Sequence, residues 1–550
     1  MLDDQKIKDI ILRENYVSAE DLEKAEEFAK AHRVSMVDYL LTEGLLTKDL
    51  LGQALAESFD VPYADLNSNQ PPEEQVFKIP ERLAKKYRIV LFKEEENKAV
   101  VTTDDPIQEG LLGDLSGIFG AKEVSLAYSL PEDIDGAFVH YRKALETRFA
   151  QIIQQQKRVA PEILEEIFED ALVYRASDVH FEPQEKEVVI RFRVDGVLHE
   201  AGRIPKEYYE NILNRVKVQS HLRLDEHFAA QDGAMRYVNT KKDLTVDFRI
   251  SIAPTLDGEK VAIRLLSEYV RSFNLGHLGL STVHQKIITD AAKKPFGMIL
   301  VTGPTGSGKT TTLYALLKIL NQPEVNITTI EDPVEYKIAG VNQIQVNPQT
   351  SLTFAEGLRS IVRQDPNIIL VGEIRDRDTS EIAVNAALTG HLLLSTFHAN
   401  DAATGIPRLL EMGTEPFLLA STLEVISAQR LVREICDACR YSMSVRVEDI
   451  KKTLPHAEEY FPQRTTTLYR GKGCKSCNDS GYRGRTGVFE FISITREMKE
   501  LILQNPSTNQ IWALAKKQGA VSMFEDGIEK VKNGVTTLEE LLRVVLPPSD

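Results

Sequence analysis

Met298-Ile299-Leu300-Val301-Thr302-Gly303-Pro304-Thr305-Gly306-Ser307-Gly308-Lys309-Thr310-Thr311 joins an apolar run, a glycine-rich turn and the start of a helical pattern that reaches Leu320. Met298 to Val301 has the length and character of a buried strand, so the stretch reads as strand, loop and helix in immediate succession. Glycines let a backbone curl until successive N–H groups point inward, and the helix that follows adds the positive end of its dipole. That arrangement suits a nucleotide phosphate, with Gly303 through Thr311 as the expected contacts. Lys309 would reach the β- and γ-phosphates and the Thr310 hydroxyl would hold Mg²⁺. A merely glycine-rich turn would seldom carry both flanks.

Three further segments follow the loop. Ile368-Ile369-Leu370-Val371-Gly372-Glu373 is an apolar strand that ends in an acid, and a carboxylate so placed orders Mg²⁺ or its water shell. Thr328-Thr329-Ile330-Glu331-Asp332-Pro333-Val334-Glu335 offers three acids, any of which could orient an attacking water; spacing alone does not choose among them. Thr389 to His398 carries His391 and His398 at the two ends of a strand-like run. Residues seven apart in a strand face opposite sides, which disfavours a shared metal and leaves packed histidines or a phosphate contact. Strand alternating with helix from residue 275 onward predicts a parallel sheet.

The whole chain has 550 residues with 66 Lys and Arg against 82 Asp and Glu, a formal net charge of −16. Its length predicts several domains. Its acidic balance argues against a protein that grips nucleic acid, which needs a basic face. The first residues contain early acids and no apolar core, so no secretory signal is expected, and no run approaches the ~18 apolar residues of a membrane span. A cytosolic setting is therefore the expectation. The four cysteines form two Cys-x-x-Cys pairs, Cys436 with Cys439 and Cys474 with Cys477. Four thiolates can close a tetrahedral site around Zn²⁺ with no open position, a structural role.

Five parts are expected. Residues 1–66 read as a helical docking module, with Tyr16-Val17-Ser18 echoed 29 residues later at Leu45-Leu46-Thr47 and capping-box spacing between Ser18 and Asp21. A proline-marked linker leads to a small α/β subdomain at 73–145. Residues 150–268 alternate as half-buried strands do, around a helix at about 205–220, and form an α+β domain. The core of alternating strand and helix around the phosphate loop spans 275–400. Residues 401–550 read as mostly helical, around a cysteine-bearing insertion at 436–477.

Taken together, the glycine loop, the acidic segment at Thr328 to Glu335, the strand that ends in Gly372-Glu373 and the histidine segment resemble the type II secretion and type IV pilus ATPase family. The resemblance covers roughly 159–545. It implies a RecA-like P-loop motor domain preceded by a smaller PAS-like α+β domain, assembled as a homo-hexamer. Such a motor hydrolyses ATP with Mg²⁺ to work on an inner-membrane platform protein, docked through a membrane-anchored cytoplasmic adaptor. It implies Glu335 as the residue that polarises water, Glu373 as the Mg²⁺-associated glutamate and His398 as a γ-phosphate contact. Arg249 and Arg264 are implied to cross to a neighbour's nucleotide; the alternative is a pair of strand-face arginines bound to Asp247 and Glu259. Zinc cysteines and a long N-terminal extension resemble assembly or secretion members, and Met523 to Val545 resembles the pilus-assembly group. The family's cyclic di-GMP motif begins Arg-Leu-Gly; here Arg33-Val34-Ser35 and Ser58 stand instead, so that ligand is not expected. A DNA-translocating ring ATPase is the remoter alternative.

Overall fold

A computed structural model describes the chain except residues 1–3, 14–15, 33–35, 43–44, 47, 67–68, 70, 142–144, 155–158, 240–243, 267–274, 348–349 and 548–550. The chain divides into two compact units: residues 1–141 with 274–550, and residues 142–273. Arg33, Val34 and Ser35 lie outside the described residues.

Four helices open the first unit, Asp4–Arg13, Ala19–His32, Met36–Thr42 and Lys48–Ser58. The second starts as the sequence predicts: Ser18 Oγ accepts the Asp21 amide at 3.2 Å and donates to its carboxylate at 2.7 Å. Leu22, Ala25, Leu51 and Leu55 point into one apolar core. That core takes in Tyr128, at the end of β3, and Leu130 just after it; β3 (Glu123–Tyr128) is the last strand of a small sheet with β1 (Ile89–Glu94) and β2 (Lys98–Thr103). Ala64 and Tyr128 also join backbone to backbone at 2.8 Å. The helical module and the α/β subdomain, separate in the sequence reading, share this core.

The second unit is a six-stranded antiparallel sheet, ordered β6-β5-β4-β9-β8-β7, formed by β4 (Asp178–Pro183), β5 (Glu187–Val194), β6 (Val197–Pro205), β7 (Gln231–Asn239), β8 (Leu244–Thr255) and β9 (Gly258–Leu266). One face buries Val179, Phe181, Ile190, Phe248, Ile250 and Ile263 against the helices Val159–Val173 and Tyr209–Gln219. Alternation puts charged residues on the other face.

The motor sheet has seven strands, β12-β11-β13-β14-β10-β15-β18 in order. They are β10 (Gly297–Thr302), β11 (Ile327–Glu331), β12 (Asn342–Gln345), β13 (Ile368–Val371), β14 (Leu392–Phe397), β15 (Leu423–Ile435) and β18 (Tyr482–Ser493). All pairs are parallel except β15 with β18. Every side chain of β10 is buried, because helices cover both faces. After residue 401 the described residues hold four strands beside the helices, which the mostly helical reading omits. Two of them, β15 and β18, extend the motor sheet past β10. The other two, β16 (Arg440–Arg446) and β17 (Thr465–Gly471), form a hairpin between the cysteine pairs. Val447, Ile450, Leu454 and Phe461, inside the cysteine-bearing insertion, bury themselves in the motor core.

Candidate nucleotide site and zinc centre

The glycine loop sits at the carboxyl end of β10, between β14 and β15, and runs into the helix Lys309–Leu320. Gly303 has φ 146° and Gly308 φ 89°, both in the left-handed half of backbone space that favours glycine. A Cβ on Gly303 would lie 2.6 Å from Ser307 Oγ and 2.7 Å from the Gln429 carbonyl oxygen, so the tight curl admits no side chain. Lys309 reaches back over the loop and donates to the carbonyls of Gly303 and Pro304 at 2.9 and 3.0 Å. Burial pushes its ammonium below the usual lysine range, with Glu373 opposing that shift and Arg430 adding to it. The buried Ser307 Oγ finds no hydrogen-bond partner among the described residues. A cradle with an orphaned hydroxyl and a converging ammonium fits a polyphosphate, and Thr310, on the first turn of the helix, would be the residue to hold its Mg²⁺.

Glu373 follows β13 and His398 follows β14, so both lie at the same end of the sheet as the loop. They meet: His398 Nε2 is 3.2 Å from one Glu373 oxygen, and Arg375 is 2.5 Å from the other. His391 stands at the opposite end of β14, with Nδ1 2.8 Å from the Ala386 carbonyl. It packs against the end of a helix, remote from the site.

The three acids at and after the end of β11 separate clearly. Glu331 is 3 % exposed and its carboxylate accepts from Thr329 Oγ1 at 2.6 Å, from Gln343 Nε2 at 3.3 Å and from the Tyr314 hydroxyl. Burial raises its pKa, against those hydrogen bonds. A carboxylate so enclosed serves as an internal acceptor. Asp332 is exposed and Glu335 half-buried, and the Glu335 amide donates to the Tyr314 hydroxyl at 3.4 Å. Tyr314, Gln343 and Gln429 have no signature in the sequence, because their partners lie up to 122 residues away.

In the second unit, Arg249 on β8 stands directly opposite Arg264 on β9. Like charges so paired repel. Arg264 is bound by Asp178 at 3.1 Å rather than by Glu259, which instead takes Lys217 at 2.8 Å and His227; Asp247 takes Arg236 at 2.8 Å.

The four cysteine sulfurs lie within 4.8 Å of one another. Cys436 to Cys474 and Cys439 to Cys477 are each 3.9 Å apart, and Cys474 to Cys477 is 3.7 Å. Thiolates about 2.3 Å from a central tetrahedral zinc stand about 3.8 Å from each other, so the cluster has the dimensions of a closed Cys₄ zinc site.

A parallel sheet with a phosphate loop at the end of β10, a histidine after the neighbouring strand β14 and an acid after β13, the next one out, defines a RecA-like P-loop ATPase. The profile of the family described as "Type II/IV secretion system protein" matches residues 154–543, and that of the "MshEN domain" matches 59–148. The chain is 36% identical to the type IV pilus assembly ATPase PilB of Myxococcus xanthus over 98% of its own length and 99% of that protein. It is 43% identical to type II secretion system protein E of Pseudomonas aeruginosa over 76% of its length and 82% of that chain. The X-ray structure of the Legionella pneumophila ATPase DotB shares the fold, with a TM-score of 0.53 at 20% identity over 70% of this chain and 96% of that one. The chain belongs to the type II/IV secretion system protein family and is one of its ATPases. The MshEN match falls on the α/β subdomain rather than on the helices that precede it. No described helix is long and apolar enough to cross a membrane.

Proposed function

We propose that the chain is a hexameric motor that hydrolyses ATP to power type IV pilus assembly through an inner-membrane platform protein. The observation that carries this reading is similarity to a pilus assembly ATPase over practically the full length of both chains. Higher identity over 76% of the chain to type II secretion system protein E supports a second reading, the drive of a type II secretion system.

In this reading the loop Gly303–Thr311 binds the triphosphate and Lys309 gives up its two loop carbonyls for the β- and γ-phosphates. Thr310 and Glu373 hold Mg²⁺, which supplies charge neutralisation at the phosphates. Glu335 orients and polarises the attacking water. His398, with its ring already against Glu373, turns to the γ-phosphate. Arg249 and Arg264 serve a neighbouring subunit's nucleotide: two opposed guanidinium groups on one strand pair suit an anion supplied from outside the unit, and make hydrolysis depend on assembly.

Arg249→Ala is expected to remove hydrolysis while isolated subunits still bind nucleotide. Mixing it with Lys309→Ala is expected to restore activity at interfaces that combine an intact loop with an intact arginine; no restoration at any ratio would exclude the trans role. In the chain's own cell, Lys309→Ala should abolish surface pili and leave secreted enzymes unchanged. Lost secretion with intact pili would establish the second reading. Hydrolysis stimulated strongly by DNA, and steeply salt-dependent, would count against both.

A further inference from the structure

Gln429 lies in the middle of β15, 1 % exposed, behind the phosphate loop. Its side-chain amide donates to the Ser307 carbonyl at 2.6 Å, and its side-chain oxygen accepts from the Thr312 hydroxyl at 2.8 Å. Its Nε2 would lie 3.1 Å from a Cβ on Gly308, and its backbone oxygen occupies the space a Cβ on Gly303 would need. One residue thus meets the loop near its start through its backbone, and its last turn and the first turn of the helix through its side chain. The backbone carbonyl of Gln429 is itself held by Arg430 Nη1 at 3.0 Å, and the other arm of that guanidinium reaches the Asn400 carbonyl at 2.9 Å.

The bond to Ser307 decides an orientation. A peptide unit is planar and trans, so its C=O and the following N–H point in opposite directions. With the Ser307 carbonyl drawn outward to Gln429, the Gly308 N–H must point the other way, into the cradle. Gly308, at φ 89°, has no side chain to hold that peptide against rotation, so its direction is set from outside the loop. The Thr312 bond adds a second anchor on the helix whose amino terminus faces the phosphates.

We propose that Gln429 is a positioning residue for nucleotide binding: from the strand behind the loop it fixes the peptide that presents the Gly308 N–H to the phosphates. This rests on the reading of Gly303–Thr311 as the nucleotide site. Loss of the amide leaves the loop present but free to turn that peptide, so the grip on ATP weakens and the water-activating machinery, held on other strands, stays in place.

The test uses the full-length assembled protein with ATP and with a non-hydrolysable ATP analogue plus Mg²⁺. Gln429→Glu keeps an acceptor for Thr312 but removes the donor to Ser307, and Gln429→Met keeps the shape without either bond. Each is expected to raise KM for ATP and Kd for the analogue about tenfold or more, with kcat within about twofold of the parent. Thr312→Val, which removes only the second anchor, is expected to raise both by less than either Gln429 variant. Unchanged KM and Kd in the Gln429 variants, or a fall in kcat at constant KM, would overturn the proposal. If the Gln429 variants do not fold, Thr312→Val decides: unchanged KM and Kd there would overturn it as well. Lys309→Ala runs beside them as the control on the site, since undiminished analogue binding in that variant would defeat the nucleotide reading itself and not only the role of Gln429.

Discussion

Removal of zinc is the perturbation with the most localised expected outcome. Cys436 and Cys474 are 38 residues apart, and a cross-link closing a loop of that length removes about 4 kcal/mol of denatured-state conformational entropy at room temperature. Stripped of that restraint, the cysteine turns should open about a thousandfold more often, since each 1.4 kcal/mol is a factor of ten. The effect should stay local. Leu454 and Phe461, within the insertion, are buried in the motor core and do not depend on the thiolates. Hydrogen exchange on protein as purified, and after chelation under reducing conditions, is the assay. Amides of Cys436 to Arg446 and Thr465 to Tyr482 should lose protection by about that factor, while those of β10 and the helix Lys309–Leu320 keep theirs. Metal analysis should return one zinc per chain, and Cys474→Ser should reproduce the chelated pattern. No bound zinc, or a loss of protection spread evenly over the motor sheet, would refute the reasoning.

Glu540 gives an acid-sensitive contact: burial raises its carboxyl, but hydrogen bonds from Arg543 and Arg433 outweigh burial and hold it down at about 2. Because the folded value lies below the unfolded one, its contribution, on the order of 3 kcal/mol, is complete above about pH 4.5 and is lost as pH falls toward 2. Glu540→Gln should flatten stability against pH in that window, measured by denaturant unfolding of the Leu538–Val544 region. Glu335→Gln should abolish phosphate release while analogue binding persists, whereas Glu331→Gln should retain about a tenth or more of the turnover, since Glu331 is an internal acceptor; reversal of the two would move the water-polarising role to Glu331.

Much of the candidate site was legible because its chemistry comes in short strings. The loop at Gly303, the acid at Glu373, the histidine at 398 and the paired cysteines each announce themselves within ten residues. What could not be read depends on strand register. Glu331 and Glu335 look alike in sequence, and only the approach of Tyr314 and Gln343 separates the enclosed carboxylate from the accessible one. Arg264 takes Asp178, 86 residues away, because β9 lies against β4. β15 escaped a strand reading for a different reason. Leu423-Glu424-Val425-Ile426-Ser427-Ala428-Gln429 is buried on both faces, so its polar residues face partners inside the protein and the alternation of a half-buried strand never appears.

The length of β15 ties together two regions that sequence treats as unrelated. Seven residues of extended chain, about 23 Å, separate Gln429 from Cys436. β18 is bonded along most of that span and starts at Tyr482, opposite Ile435 and five residues after Cys477. A two-strand ribbon of this kind carries continuous backbone from the cysteine cluster to the amide behind Gly308. The cysteine cluster and the strand residue behind the phosphate cradle thus belong to one hydrogen-bonded ribbon.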